Sequence, residues 1–526
     1  MINRSLLIRG AEICDGLGSE SYRGDILLCN GIIADIGKIS EIPEDAEVFD
    51  ADGLTACPGF IDAHAHSDLS LFAAPEAYGK ISQGITTEIS GNCGLSAFPV
   101  MTDTVREHLQ SLYSRYGVKI DWSDFSGFAD ALEACHPALN AAFLCGYNTL
   151  RANILGYGDV PNSPEEWRKM RGLLTEMLKQ GAFGLSTGLL YVPGVFASRE
   201  ELLTVAEALR PFHAVYATHL RSEGKTLLES VEEALAIAEA GAKHLHISHL
   251  KTAKPENWYK IDPLMARIAQ ARKAGIRVTA DRYPYTFAQT SLSVILPAPY
   301  DVMTDASIEK LLSSEPERRE PLIRELETAG TDWSRILLCC TKVPVPEEWY
   351  GLPLALIAKK SGKTPARICV ELLTGDGGTL AAFGGMSERN LRRIISDPEV
   401  CCGTDETARP RDFQFGRSHP RGFGSFGRFI RMGREFFRKE ELIRKLTSFP
   451  ASVFGLQGRG SLKKGYAADL LLLDWENYAD RADFGKPHEP CSGVVRVYVN
   501  GVLGYDSGKI TGFGGRVLKK ICSGKG

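Results

Sequence analysis

The two ends of the chain share one hydrophobic pattern and the middle follows another. Residues 6–8, 25–28 and 32–36 read as short strands, and Asn30-Gly31 between the last two is a strong two-residue hairpin signal. Residues 469–473 and 494–499 read the same way and are followed by a second such pair, Asn500-Gly501. From about residue 60 to 450 short apolar runs alternate with longer helical patterns. The strand candidates end near His66, Glu88, Leu144, Gly184, His219, His249, Asp281 and Asp405. Helices are expected between them, for example over 198–209 and 226–240. The second carries Leu227, Val231, Ala234 and Ala238 on one stripe, has Thr226 and Glu229 at capping-box spacing, and stops at Gly241. Repeated strand–helix units call for a parallel sheet covered by helices, and this number of strands fits a closed (β/α)8 barrel in the α/β class. An open doubly wound sheet is the alternative, although its first strand would lack a Gly-x-Gly-x-x-Gly turn. The stretch from about 300 to 351 is charged, rich in Glu, Lys and Pro, and breaks the rhythm, as an inserted subdomain would.

Composition narrows the function classes. The 526 residues suffice for one large domain and a smaller one, and the 44% apolar content is that of an ordinary globular protein. The formal net charge is −4 with both signs mixed along the chain, so no nucleic-acid partner is expected. No apolar run reaches the roughly 18 residues of a membrane span, and residues 1–10 lack the pattern of a secretion leader. The expected setting is the cytoplasm, with no membrane partner. The 13 cysteines are an odd, scattered set that matches neither a disulfide framework nor a zinc ribbon.

Candidate chemistry collects at the ends of the strand candidates. In Asp62-Ala63-His64-Ala65-His66 the alternation of a strand would turn His64 and His66 to one face, where two imidazoles could grip one ion. A pair of polar turn residues would read the same. His219 ends the apolar run from Val215, and His249 shares a face with Leu245 and Ile247, whereas His244 and His246 point the other way. One such histidine is often a satisfied core residue; four at strand ends that converge on one barrel mouth suit zinc or another late first-row divalent ion. Cys93, set between Gly91 and Gly94, would add a thiolate to that set. Asp405, at the last strand end, could exchange a proton with a metal-activated water, though it could also be a helix N-cap.

An ordered set of motifs carries a resemblance. It runs from Pro58-Gly59-Phe60-Ile61-Asp62-Ala63-His64-Ala65-His66 through Gly91-Asn92-Cys93-Gly94, Gly184-Leu185-Ser186-Thr187-Gly188, His219-Leu220-Arg221 and His249-Leu250-Lys251. It continues with Asp281-Arg282-Tyr283-Pro284-Tyr285, His419-Pro420-Arg421 and Gly465-Tyr466-Ala467-Ala468-Asp469-Leu470. In these segments the chain resembles the D-aminoacylase (N-acyl-D-amino-acid deacylase) family of amidohydrolases over essentially its whole length.

The resemblance implies a (β/α)8 barrel over 58–450 with a subdomain inserted at about 300–351. It also implies a small β-sandwich built from residues 1–57 and 451–526. His64, His66, Cys93, His219 and His249 match the metal ligands, with Zn2+ held tightly by Cys93, His219 and His249 and a second, weaker site completed by His64 and His66. Asp405 matches the catalytic acid–base. Lys251 and Arg421 match the groups that hold the substrate's α-carboxylate, and Tyr191 and Tyr283 match polar pocket residues. The chain departs from the family in Thr404-Asp405-Glu406, where Ser-Asp-Gly is common, and in Gln289, which stands where many members have a substrate-binding serine. The implied activity is hydrolysis of an N-acyl-D-amino acid, a small-molecule substrate, by a monomer or homo-oligomer. Opening of a cyclic amide such as a hydantoin, cleavage of a dipeptide with a D-residue at its C-terminus, and a non-catalytic scaffold of the same fold are the competing readings.

Overall fold

The computed structural model describes residues 5–521. Its centre is a ring of short parallel strands: Phe60–Asp62, Ile85–Ser90, Asn140–Phe143, Gly184–Gly188, Val215–His219, His244–Ile247, Arg277–Arg282 and Val400–Cys402. Past Phe143 the ladder steps across through Cys145–Gly146, which pairs with Gly184–Gly188. The ring closes where the Ala63 N–H donates to the Cys402 carbonyl (3.2 Å) and Ala65 bridges Glu406. Helices cover the outside, which makes this a (β/α)8 barrel.

The barrel is filled from below. Ile61, Ile89, Leu144, Val215 and Cys401 point inward and pack on Phe449 and Phe454 of the helix Ser448–Phe454. One end is thus sealed with apolar side chains, and polar groups gather only at the end where the strands finish. The covering helix Leu227–Ala240 buries the expected stripe of Leu227, Val231, Ala234 and Ala238 and stops at Gly241. The capping box expected at its start is not formed. Thr226 has φ −111° and ψ 37°, outside the extended conformation that lets an N-cap side chain reach back, and its hydroxyl makes no cap bond. The helix expected over 198–209 ends at Ala206 and tightens into a 3-10 turn, Glu207–Phe212, that contains Pro211.

Both chain ends build one nine-stranded sheet beside the barrel. Its seam is Thr55–Pro58 running antiparallel to Leu470–Leu473. The two Asn-Gly pairs turn hairpins there, with φ of 52° and 79° at Asn30-Gly31 and 48° and 78° at Asn500-Gly501. Positive φ at both central residues is the type I′ geometry that matches strand twist.

Between Arg277–Arg282 and Val400–Cys402 the chain leaves the barrel for a three-stranded antiparallel sheet of Phe287–Ser291, Leu380–Gly384 and Ile336–Cys340, with its own buried cluster around Leu292, Leu312, Leu338 and Leu354. This excursion is wider than residues 300–351, because Leu380–Gly384, which pairs with Ile336–Cys340, also pairs with Phe287–Ser291, and no local pattern marks either of the strands outside that range. Among the described residues the cysteines are all unpaired, and no helix is long and apolar enough to cross a membrane.

A buried ammonium ties the barrel's closing seam together. Lys80, fully buried, donates to Asp62 Oδ2 (2.7 Å), Thr404 Oγ1 (2.6 Å) and the Glu406 carbonyl (2.9 Å), and lies 3.5 Å from Glu88. It therefore joins the first, second and last strands. Lys80→Met removes the cation and leaves the Asp62 carboxylate buried without its charge partner, which costs about 3–5 kcal/mol. Urea unfolding of the variant is expected to show a loss of that size; a loss below about 1 kcal/mol would mean that the seam does not depend on this charge.

Candidate metal and catalytic site

The strands stop earlier than their apolar patterns suggest. Phe60–Asp62 ends before His64, His244–Ile247 before His249, and Val400–Cys402 before Asp405. The alternation that was to turn His64 and His66 to one face therefore does not apply, and loop geometry brings the groups together instead. Cys93, His249 and Asp405 have φ of 53°, 38° and 53°, in the left-handed region that non-glycine residues rarely occupy. Neighbouring contacts hold them there. The Asp405 N–H donates to the His64 carbonyl (2.7 Å) and the His249 N–H to Asp281 Oδ1 (3.0 Å). Cys93 sits in a turn drawn in by Ser186, whose Oγ accepts from the Gly94 N–H (3.1 Å) and donates to the Gly91 carbonyl (2.5 Å). Gly91, at φ 75°, lies so near Leu144 that a Cβ would stand 2.1 Å from its carbonyl oxygen.

The side chains converge at the barrel mouth. Cys93 Sγ is 3.4 Å from both His64 Nε2 and His249 Nε2. One ligand atom each from His64, Cys93, His249 and Asp405 lie within 4.8 Å of one another. His66 Nε2 is 3.0 Å from Asp405 Oδ1, and the His219 ring lies 4.6 Å from that of His249. His219 is buried, yet neither of its ring nitrogens has a hydrogen-bond partner. A buried imidazole with two idle nitrogens beside a thiol and three more imidazoles is unfavourable unless a cation uses the lone pair, and the donor set is that of a late first-row divalent metal. Burial opposes ionisation of Cys93, but the His64 and His249 imidazoles bring its thiol well below the ordinary range, as a metal-ligating thiolate requires.

His244 and His246 stay out of the cluster. His246 bonds Thr279 Oγ1 (2.9 Å) and Asp281 Oδ2 (3.1 Å). Asp281 also takes His64 Nδ1 at 3.0 Å, so one buried carboxylate orients two imidazoles and the His249 backbone. As the last acid of an apolar strand Asp281 was visible in the sequence, but nothing local marked it as the partner of His64.

A cavity of about 350 Å3 opens over these groups. Asp405, Lys251, Tyr191, Tyr283, Gln289 and Arg421 all line it, together with Glu223, Glu406 and Arg409. Asp405 is not a helix cap. Its Oδ2 takes Arg421 Nη1 at 2.7 Å, and despite burial the Arg421 guanidinium and the His66 hydrogen bond hold its carboxyl well below the usual range. Arg421 Nε, Tyr283 Oη and Gln289 Oε1 are buried polar atoms without a hydrogen-bond partner on residues that line the cavity, and Arg421 Nε lies 4.0 Å from Glu406 Oε2. Burial would raise the Tyr283 phenol, but Lys251, Arg282 and Arg421 pull it down. Tyr191 stands edge-on to His219 at 5.0 Å. Glu223 carries no motif in the sequence, although its place four residues after His219, on the loop that follows that strand, is a usable signal. Glu406, which replaces the small residue common at this turn, pairs with buried Arg409 (3.4 Å).

Comparison with known proteins agrees with this geometry. Residues 47–313 and 391–505 match the model of the amidohydrolase family. The chain is 32% identical to an N-acyl-D-glutamate deacylase of Alcaligenes xylosoxydans xylosoxydans, over 98% of its own length and 97% of the relative's. It is also 32% identical to a D-aminoacylase of the same organism, over 98% of each. Among solved structures it superposes on an N-acyl-D-glutamate deacylase from Bordetella bronchiseptica, crystallised with zinc and a phosphonate mimic of the tetrahedral intermediate, with a TM-score of 0.80 at 31% identity, covering 98% of this chain and 99% of that one. The barrel, the thiol–imidazole cluster at its mouth and these full-length matches together show that the chain belongs to the amidohydrolase family and, within it, to the D-aminoacylase (N-acyl-D-amino-acid deacylase) group.

Proposed function

We propose that the protein hydrolyses the amide bond of N-acyl-D-amino acids, releasing a carboxylate and a free D-amino acid. One observation carries the reading. Asp405 touches the imidazole cluster through His66 on one side and Arg421 on the other, at 3.0 and 2.7 Å. A substrate whose α-carboxylate lies at Arg421 and Lys251 would therefore present its scissile amide between Asp405 and the cluster. A free carboxylate beside the broken bond is what separates an N-acyl amino acid from a cyclic amide.

Cys93, His219 and His249 would hold one zinc tightly, and His64 and His66 would complete a second site. When bound, zinc polarises a carbonyl and makes water a usable nucleophile near neutral pH. Asp405 takes the proton of the attacking water at its carboxylate and returns it to the leaving nitrogen. The pair with Arg421 keeps Asp405 ionised and therefore able to accept. Arg421 uses Nη1 for Asp405, and its Nε, which lies 4.0 Å from Glu406 Oε2 and makes no hydrogen bond, would serve the substrate carboxylate, with Lys251 supplying a second positive charge and Tyr283 Oη a donor. Tyr191, beside His219, would donate to the oxyanion as the carbonyl becomes tetrahedral. Gln289 would contact the same carboxylate where many relatives use a serine. The odd, scattered set of 13 cysteines favours a reducing compartment such as the cytoplasm.

Incubation of the zinc-loaded protein with N-acetyl and N-formyl derivatives of D- and L-amino acids is expected to release free amine from the D-series alone. Equal release from the L-series, or turnover of hydantoins in place of linear amides, would overturn the reading. Asp405→Asn is expected to lower kcat by at least about 100-fold, the usual contribution of a general acid–base. Metal analysis should find the zinc content of the variant unchanged. Parent-like turnover in that variant would remove Asp405 from the proton path.

A further inference from the structure

Glu223 has no part in the hydrolysis outlined above, yet it touches three of the groups assigned to it. Its Oε1 lies 3.1 Å from His249 Nδ1 and accepts from Lys251 Nζ, and its Oε2 lies 3.8 Å from His219 Nε2. Only 15% of the side chain is exposed, and it forms part of the cavity wall. The loop that carries it is pinned at both ends. The Ser222 N–H donates to Ser230 Oγ (3.0 Å) in the next helix, and the Glu223 carbonyl takes the Ala253 N–H (2.7 Å) from the loop that bears Lys251. Arg221, two residues earlier, turns away to Glu233 (3.0 Å) and does not compete for the Glu223 carboxylate.

The arrangement at His249 poses a choice of tautomer. His249 Nε2 faces Cys93 Sγ at 3.4 Å, so it is the nitrogen directed into the donor cluster. An imidazole ligates a cation through a nitrogen that carries no proton, which requires the proton to sit on Nδ1. Lys251 Nζ lies only 2.8 Å from that same Nδ1. An ammonium is a pure donor, and alone it would favour the opposite tautomer, with Nδ1 accepting and Nε2 blocked. Glu223 Oε1 is within reach of both groups and has lone pairs for both. It accepts from the ammonium and, at 3.1 Å from Nδ1, offers an acceptor for Nδ1–H, which would free Nε2 and fix the Lys251 charge at the cavity wall.

We propose that Glu223 is a positioning residue that selects the metal-ready tautomer of His249 and anchors Lys251, so that one carboxylate governs both metal affinity and the hold on the substrate carboxylate. Only the second half rests on the deacylase reading; the first concerns metal binding in the absence of any substrate.

The test uses the full-length protein with Glu223→Gln and Glu223→Asp. Zinc affinity is measured by competition with a chromogenic chelator, without substrate, and thermal unfolding of the zinc-loaded forms checks that each variant is folded. Glu223→Gln is expected to bind zinc about 10–100-fold more weakly, the range found when a carboxylate behind a ligating histidine is lost. It should still reach the parent's zinc content at saturation. Its KM for whichever N-acyl-D-amino acid the parent cleaves should rise by a larger factor than its kcat falls, and Glu223→Asp should recover part of the affinity. A zinc affinity within twofold of the parent in a folded Glu223→Gln protein would falsify the proposal. Loss of one zinc equivalent at saturation would overturn it differently, by making Glu223 a ligand itself. If the Gln variant does not fold, the Asp variant decides: a shortened carboxylate that leaves affinity and KM unchanged also overturns the assignment. Because zinc is read without substrate, a blank amidase panel bears on the proposed function and not on this result.

Discussion

The closing seam of the barrel rests on the buried ammonium of Lys80. A charge with no exposure persists only if it is paired and hydrogen-bonded, and Lys80 meets that condition through Asp62, Thr404 and the Glu406 carbonyl. The same contacts place function. Asp62 also takes the Thr404 N–H at 2.8 Å and the His64 N–H at 3.2 Å. The backbone of His64 and the turn that presents Asp405 are therefore held by one ion pair.

The site above the seam repeats this logic with carboxylates. Asp281 orients His64 and the His249 backbone, Glu223 takes His249 and Lys251, and Asp405 takes His66 and Arg421. Glu223 and Asp405 each touch one imidazole of the cluster and one cation, so these two side chains join the cluster to the cationic end of the cavity, while Asp281 ties members of the cluster to one another. The backbone carries part of the cost. Cys93, His249 and Asp405 all adopt left-handed φ, an arrangement that survives only where surrounding hydrogen bonds over-determine it.

Much of this was legible along the chain because the physics involved is local. Strand–helix alternation between residues 60 and 450 reports burial of one face per element, and a barrel follows from that. The Asn-Gly pairs report their own φ preferences, and both turned out to be hairpins. Recurrent histidines and an acid at the ends of apolar runs marked the barrel mouth, and Cys93 was visible through the glycines that let its turn bend.

What the tertiary structure alone decided is how those residues meet. Strand parity could not bring His64 and His66 together, because the strand stops at Asp62, whose carboxylate serves Lys80, 18 residues on, and Thr404, 342 residues on. The capping box at Thr226 failed for a related reason: the loop from His219 is shaped by Glu223 and Ser222, and it delivers Thr226 in a conformation that cannot cap. Asp281, Glu223 and the strands Phe287–Ser291 and Leu380–Gly384 take their meaning from partners distant in sequence. The sequence by itself determined which elements form and which donors the chain holds ready, since propensity and periodicity act over a few residues. Which donor faces which was left to long-range closure of the barrel.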